Sequence, residues 1–371
     1  MSRATHRPTA PHRGALSNPD GRFEPVRHEI EDDGWGTLAP RADDGDDPEG
    51  WGPLPAPETR VAVDTSRSIM TRNCSPDVPF DRSINLYRGC EHGCVYCYAR
   101  PTHAYLGLSP GLDFETRLFM KPDAAALLDA ELRKSGYRPA PIAIGTNTDP
   151  YQSVERRLGL MRQVLDVLSA FNHPVTITTK SAMVERDADL LADMAARNLA
   201  AVALSVTTLD RDLARRLEPR ASPPAARLRA VRTLADAGVP VAVMVAPIIP
   251  GLTDHEMERI LEAAAEAGAA QADYIVVRLP LEVEGLFQEW LETHVPDRAR
   301  RVLSRIGAMR DGAASSSRFH ERMKGTGPDA ALLSRRFAVA TRRLGLTRRG
   351  YDLDCTRFAP PPRAGDQLRL L

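Results

Sequence analysis

An α/β fold is predicted for this chain of 371 residues, on three observations. Short β-branched or apolar runs recur at 83–86, 142–144, 175–178, 201–206, 241–246 and 274–277. Stretches of helical period separate most of them. Polar residues follow several of the runs abruptly, as they do where strands end at a ligand-binding rim. Strands alternating with helices pair in parallel through right-handed crossovers, and six such units make a partial (β/α)6, TIM-like barrel.

In chain order, residues 1–65 mix Pro, Gly, Asp and Arg with almost no periodic apolar pattern, and they carry the acidic group Asp43, Asp44, Asp46 and Asp47. A disordered N-terminal tail is expected there, with the barrel occupying 66–290. Ala125, Leu128 and Leu132 predict a helix over 123–134; Leu160, Val164, Leu165 and Leu168 predict the next. Gly238, Val239 and Pro240 end the helix before the run at 241–246. Thr253-Asp254-His255-Glu256 has the form of a capping box and predicts a helix through Met257, Ile260 and Leu261. After Leu281 the rhythm stops. Phe287, Trp290 and Leu291 predict a helix packed on the barrel, and 291–371 form an Arg-rich C-terminal extension, helical and then Pro-rich from Pro360.

With 43% hydrophobic and 26% charged residues, the chain can build a sizeable core. Lys plus Arg and Asp plus Glu both number 49, so the formal net charge is zero and names no partner. The charge is segregated nonetheless. Residues 28–50 hold nine acidic groups against Arg41 alone, and 297–349 hold fourteen basic against four acidic. Residues 1–20 are polar and Pro-rich without an apolar signal core, and the longest apolar stretch, 239–250, is strand-sized once its prolines are removed. A cytoplasmic protein is expected, and the five cysteines fit a reducing compartment better than a disulfide framework.

Three of those cysteines, Cys90, Cys94 and Cys97, share one loop at C-x3-C-x2-C spacing. Three thiolates from one loop can coordinate three irons of a cubic 4Fe-4S cluster, leaving the fourth iron open to a ligand that is not protein. Gly89 and Gly93 free the backbone to wrap a cluster, and Tyr96 can lay an aromatic face beside a bound adenine. A structural zinc site would take His92 or His103 as fourth ligand, although such ligands usually come as two spaced pairs. A ferredoxin-type carrier would need Cys74 or Cys355, both distant in the sequence.

Arg88-Gly89-Cys90, Tyr96-Cys97-Tyr98-Ala99-Arg100 and Gly145-Thr146-Asn147-Thr148-Asp149-Pro150-Tyr151-Gln152 resemble the radical S-adenosylmethionine (SAM) superfamily. Within it they look like the spore photoproduct lyase branch, whose members are often called DNA repair photolyase-like. The resemblance covers residues 65 to 290. It implies that the open iron chelates the amino and carboxylate groups of SAM. It also implies that one electron, from an external flavodoxin- or ferredoxin-type donor, cleaves SAM to methionine and a 5'-deoxyadenosyl radical that abstracts hydrogen from a substrate. Lys180 and Ser205 match a lysine and a serine that contact SAM in the lyase, and Tyr98 matches a tyrosine proposed there for hydrogen-atom relay. The lyase carries a further cysteine near the end of its second strand that returns hydrogen to the product radical. Residues 142–152 contain none, so the resemblance extends to the superfamily and leaves open whether the reaction is repair or modification.

SAM joins a cationic sulfur to a zwitterionic head, so its site needs hydroxyl or amide acceptors, a cation for the carboxylate and an apolar adenine slot. Lys180 can hold the carboxylate, while Ser205 with Thr146 or Asn147 can hydrogen-bond the head group and ribose. Lys180 is one of four lysines in a chain whose other 45 basic residues are arginine. The Arg-rich C-terminal region can bind a phosphate backbone, which makes nucleic acid a candidate partner and substrate, with Phe319, Phe337, Tyr351 and Phe358 as the few aromatic residues there. A radical SAM enzyme is therefore expected. The alternative is a non-catalytic iron-sulfur or zinc protein that interacts with nucleic acid.

Overall fold

The computed structural model describes residues 13–24, 58–348 and 350–363. The acidic group at 43–47 and the C-terminal residues 364–371 lie outside the described residues. Strands β1 (Arg60–Val63), β2 (Met70–Arg72), β3 (Arg82–Ile84) and β4 (Tyr87–Arg88) precede the cysteine loop, and β5 (Arg117–Met120) follows it. The remaining strands are β6 (Ile142–Ile144), β7 (Val175–Thr179), β8 (Ala200–Ser205), β9 (Val241–Ile248), β10 (Gln271–Val276) and β11 (Thr347–Arg348). The main sheet has the order β11-β10-β9-β8-β7-β6-β3-β2, and β1-β5-β4 form a small sheet beside it.

From β3 through β6, β7, β8, β9 and β10 every pairing is parallel, which gives the six units expected of a partial barrel. β11 adds in parallel at one edge and β2 in antiparallel at the other. Helices α1 (Asp113–Thr116), α2 (Ala124–Leu132), α3 (Glu155–Leu158), α4 (Leu160–Ala170), α5 (Ala188–Ala196), α6 (Arg211–Leu217), α7 (Pro224–Asp236) and α8 (Met257–Glu266) fill the crossovers. α9 (Val283–His294), α10 (Pro296–Ala308) and α11 (Gly327–Leu344) form the helical C-terminal part.

Sequence pattern explains these elements. Every residue of β8 is buried, so it reads as a continuous apolar run, as a strand covered on both faces must. α4 buries Leu160, Met161, Val164, Leu165 and Leu168 along one face. α9 buries Phe287, Trp290 and Leu291 in one cluster with Cys94, Val95 and Tyr96, so this helix backs the cysteine loop.

Two expectations need refinement. α8 does begin at Met257, but Thr253-Asp254-His255-Glu256 is not a capping box. Thr253 Oγ1 accepts from Ile249 N at 2.9 Å, and the Glu256 carboxylate accepts from Thr208 Oγ1 at 2.6 Å and Leu209 N at 2.7 Å. These side chains tie neighbouring rim loops together, and that tertiary use overrides the local cap. Within the stretch read as a tail, residues 13–18 pack on the barrel, with Arg13, Ala15 and Leu16 buried, and 60–63 form β1.

Much of the arginine at the C-terminus fastens helices. Arg336 reaches Glu258 of α8 at 2.7 and 2.8 Å, Arg343 reaches Glu262, and Arg305 of α10 reaches Asp254 and Asp329. The connection from α10 to α11 links β10 with the far edge of the open sheet. It bonds β10 through Val276 N to Met323 O at 2.9 Å, and the turn after β2 through His320 N to Asp77 Oδ1 at 2.6 Å. No helix among the described residues is long and apolar enough to cross a membrane.

Candidate active site

The cysteine loop leaves the C-terminal end of β3 by way of β4, where parallel β/α folds place their ligands. Gly89 takes φ +78°, and a Cβ there would meet Leu118 Cδ2 at 2.7 Å and Phe114 O at 2.8 Å. Short turns follow: Cys97 N donates to Cys94 O at 3.1 Å, and Arg100 N to Cys97 O at 3.2 Å. Cys90 and Cys94 are buried and Cys97 is half-buried. The Arg100 side chain, fully buried, donates to Cys94 O at 3.0 Å, Gly93 O at 3.2 Å and Glu115 Oε1 at 2.5 Å. Glu115 in turn accepts from Gly14 N at 3.0 Å and Ala15 N at 2.9 Å, which ties the N-terminal segment over the loop.

Burial pushes the Cys90 and Cys94 thiols up, so their thiolate forms need a cationic partner of the kind that iron supplies. Among the described residues no three His, Cys, Asp or Glu side chains converge on a single metal ion, as a zinc site requires. Thiolates on a cubic cluster each bond a different iron and need no common point. One ring nitrogen of each histidine is engaged elsewhere: His92 Nδ1 lies 3.3 Å from Asp149 Oδ2, and His103 Nε2 lies 2.9 Å from Arg117 O. The donor set fits the cluster.

Asp149, in the loop after β6, organises the rim. Its carboxylate accepts from Thr179 Oγ1 at 2.7 Å, Lys180 N at 2.8 Å and Tyr151 N at 2.9 Å. Burial opposes its charge, yet His92 and these donors hold its carboxyl down at about 2. Gln152 bonds the cysteine loop directly, accepting from Glu91 N at 2.8 Å and donating to Gly89 O at 3.3 Å. The stretch 145–152 is thus the brace of that loop.

Lys180 follows β7, with its Nζ 5.9 Å from the Tyr96 ring centroid. Its charge acts on the Cys94 thiol and on Glu218, and among the described residues its ammonium has no hydrogen-bond or salt-bridge partner. Ser205 ends β8; its carbonyl accepts from Arg227 at 2.9 Å while its hydroxyl is unpartnered among the described residues. Asn147 is fixed through its backbone N to Asn85 Oδ1 at 3.2 Å, and the Thr146 carbonyl accepts from the Tyr98 hydroxyl. The side chains of Thr146 and Asn147 also make no hydrogen bond among the described residues. Tyr96 is buried, its hydroxyl held by Glu218 and lying 3.3 Å from Thr207 Oγ1. Tyr98 is 43% exposed, with its hydroxyl donating to the Thr146 carbonyl. Burial of the hydroxyl, then the Cys97 charge, pushes the phenol up to about 12.

Sequence reading missed several groups. Glu218 accepts from Tyr96, Thr207 and Arg227, and Arg227 with Lys180 overcomes burial to hold its carboxyl down at about 2. Glu115 was missed too, and Arg100 stood in the motif without a role. Arg100 had a signal, its adjacency to the third cysteine. Glu218 and Arg227 lie in an ordinary Arg-rich helical stretch that carries none.

Residues 84–264 match the family model of the Radical SAM superfamily. An uncharacterized protein of Mycobacterium tuberculosis is 39% identical over 226 residues, 60% of this chain and 66% of that relative, just under two thirds of its length. An uncharacterized protein of Methanocaldococcus jannaschii is 27% identical over 214 residues, 58% of this chain and 76% of the relative. Among solved structures, spore photoproduct lyase complexed with dinucleoside spore photoproduct is similar at TM-score 0.56 and 16% identity, over 78% of this chain and 80% of that one. A variant of that lyase with bound AdoMet and dinucleoside spore photoproduct is similar at TM-score 0.56, 15% identity and the same coverage. At this identity the likeness is one of fold.

Proposed function

We propose that this chain is a radical SAM enzyme in which Cys90, Cys94 and Cys97 hold a 4Fe-4S cluster. Held there, such a cluster would supply the one-electron reduction that cleaves SAM to methionine and a 5'-deoxyadenosyl radical able to abstract hydrogen from a substrate. The observation that carries the reading is Lys180. An unpaired ammonium stands beside Tyr96 with its charge acting on Cys94, next to a rim whose other ionic groups are largely paired.

In this reading Lys180 receives the SAM carboxylate, and Ser205, Thr146 and Asn147 offer hydroxyl and amide groups to the head group and ribose. Tyr96 supports the adenine side, with its ring fixed by Glu218. Tyr98 is the candidate hydrogen relay; its hydroxyl must leave the Thr146 carbonyl to act. α9 behind the loop, and Arg100 with Glu115 beneath it, keep water from the cluster side of the pocket. An external donor of flavodoxin or ferredoxin type supplies the electron. Nucleic acid is the substrate class favoured, on the likeness of fold to a lyase solved with a dinucleoside and on the basic C-terminal region.

The test is anaerobic reconstitution with iron and sulfide, then reduction with dithionite in the presence of SAM, comparing wild type with Cys94→Ala. 5'-Deoxyadenosine from wild type alone supports the reading. A wild-type protein that carries the cluster and makes none sinks it.

A further inference from the structure

Arg278 lies two residues beyond β10, at the end of the barrel that carries the cysteine loop. Its guanidinium stands 4.5 Å from the centroid of the Tyr98 ring, the residue next to Cys97. The side chain is half-buried, and among the described residues it has no hydrogen bond or salt bridge. Its position is built. Arg310, buried, donates to Val276 O at 3.1 Å and Val277 O at 2.7 Å, the two carbonyls just before Arg278. Burial, then the Arg278 charge, pushes Arg310 down to about 10.

The charge around it is unbalanced. Arg278 feels Arg310 and Arg322 as like charges, and Asp77 and Cys97 as opposite ones. Asp77 is already engaged by Arg322 and by His320 N. Arg278 is thus left without an anionic partner of its own, since the one carboxylate acting on it is already committed to Arg322. Half-burying an unpaired cation costs free energy unless an anion arrives.

Resting on the function proposed above, we propose that Arg278 is the docking point for a phosphate ester of the substrate, held beside Tyr98 at the rim of the cluster pocket. A guanidinium packed on an aromatic ring keeps a fork of N–H donors for an oxyanion, and phosphate matches both that fork and a surplus of positive charge. The neighbouring pair repeats the arrangement: Arg322 stands 4.8 Å from the ring centroid of Phe319, which is 50% exposed. A phosphate in a strand and a phosphate on a free nucleotide share this chemistry.

The experiment uses the reconstituted full chain, saturated with SAM so that the Lys180 side is filled. Binding of a single-stranded octanucleotide, cytidine monophosphate and cytidine is titrated against wild type, Arg278→Met and Arg278→Lys. Loss of the guanidinium is expected to weaken at least one phosphate-bearing probe by about tenfold or more while cytidine is unaffected, with Arg278→Lys intermediate. A greater effect on the octanucleotide assigns the phosphate to a strand, and a greater effect on the mononucleotide assigns it to a free nucleotide; either supports the inference. Three results overturn it: no phosphate-bearing probe binds wild type, all three probes weaken equally, or Arg278→Lys and Arg278→Met bind as wild type does. 5'-Deoxyadenosine formed by wild type reports separately on the function proposed above, so the two readings fail independently.

Discussion

Arg100 and Glu115 form an ion pair at 2.5 Å with neither side chain exposed, and between them they hold both sides of the cysteine loop. Arg100 takes the carbonyls of Gly93 and Cys94, and Glu115 takes the amides of Gly14 and Ala15 in the N-terminal segment. Removing one partner leaves the other as an uncompensated buried charge. Glu115→Ala is therefore expected to cost about 3–5 kcal/mol of stability. Urea unfolding of the apo protein measures it, and iron content after reconstitution should fall with it. Full stability in Glu115→Ala would show that the pair does not hold the loop.

The Lys180 ammonium is the group most exposed to test. A charge-assisted contact with the SAM carboxylate is worth roughly 1.5–3 kcal/mol, so Lys180→Met should weaken SAM binding about 10- to 100-fold. The visible absorbance of the reconstituted cluster should remain, because the three thiols are untouched. Equilibrium dialysis of SAM against both reconstituted proteins gives the comparison. An unchanged Kd would move the carboxylate to another partner.

These groups differ in how far the sequence could reveal them. Of the six parallel strands, β6, β8 and β9 were legible because they are buried on both faces and so read as apolar runs between helical periods, while β7 and β10 bury alternate residues. The cysteine spacing was legible because one loop must present all three thiols. Asp149 and Gln152 were visible as a rim loop, but not their bonds to His92, Lys180 and Glu91, which depend on β6, β7 and the cysteine loop meeting. Glu218 was invisible for the same reason, its partner Tyr96 lying 122 residues away, and the contact of Arg278 with Tyr98, 180 residues away, was hidden likewise. The capping-box reading at Thr253 failed because Glu256, the residue that would close the box, has a better tertiary role at Thr208 and Leu209.

His173 gives the fold a pH limit. The ring is fully buried, 2.7 Å from the Tyr137 hydroxyl and 3.0 Å from Pro174 O. Burial pushes its pKa down to about 4 from 6.5. Between those values the unfolded chain takes up a proton that the folded chain refuses, so stability falls as pH falls through that window. The full loss is on the order of 3 kcal/mol. Urea midpoints between pH 7 and pH 4.5 should fall more steeply for wild type than for His173→Gln, which has no imidazole to protonate. Identical slopes would assign the acid sensitivity to other groups.

Gly14 tests whether the N-terminal segment belongs to the site. A Cβ at that position would stand 1.6 Å from Gly93 O and 3.3 Å from Val95 N, both backbone atoms of the cysteine loop. Neither can swing aside as a side chain would, so Gly14→Ala must lift the segment or shift the loop. Lifting it breaks the amide bonds from Gly14 and Ala15 to Glu115 and uncovers Ala15, which is fully buried. The cost expected is about 1–3 kcal/mol, as for other overpacked positions. Limited proteolysis should cut Gly14→Ala within residues 13–24 under conditions that spare wild type. The reconstituted cluster of the variant should also bleach faster in air, because the loop that holds it has lost its cover. Wild-type protease resistance together with a wild-type bleaching rate would show that the segment rests on the loop without protecting it.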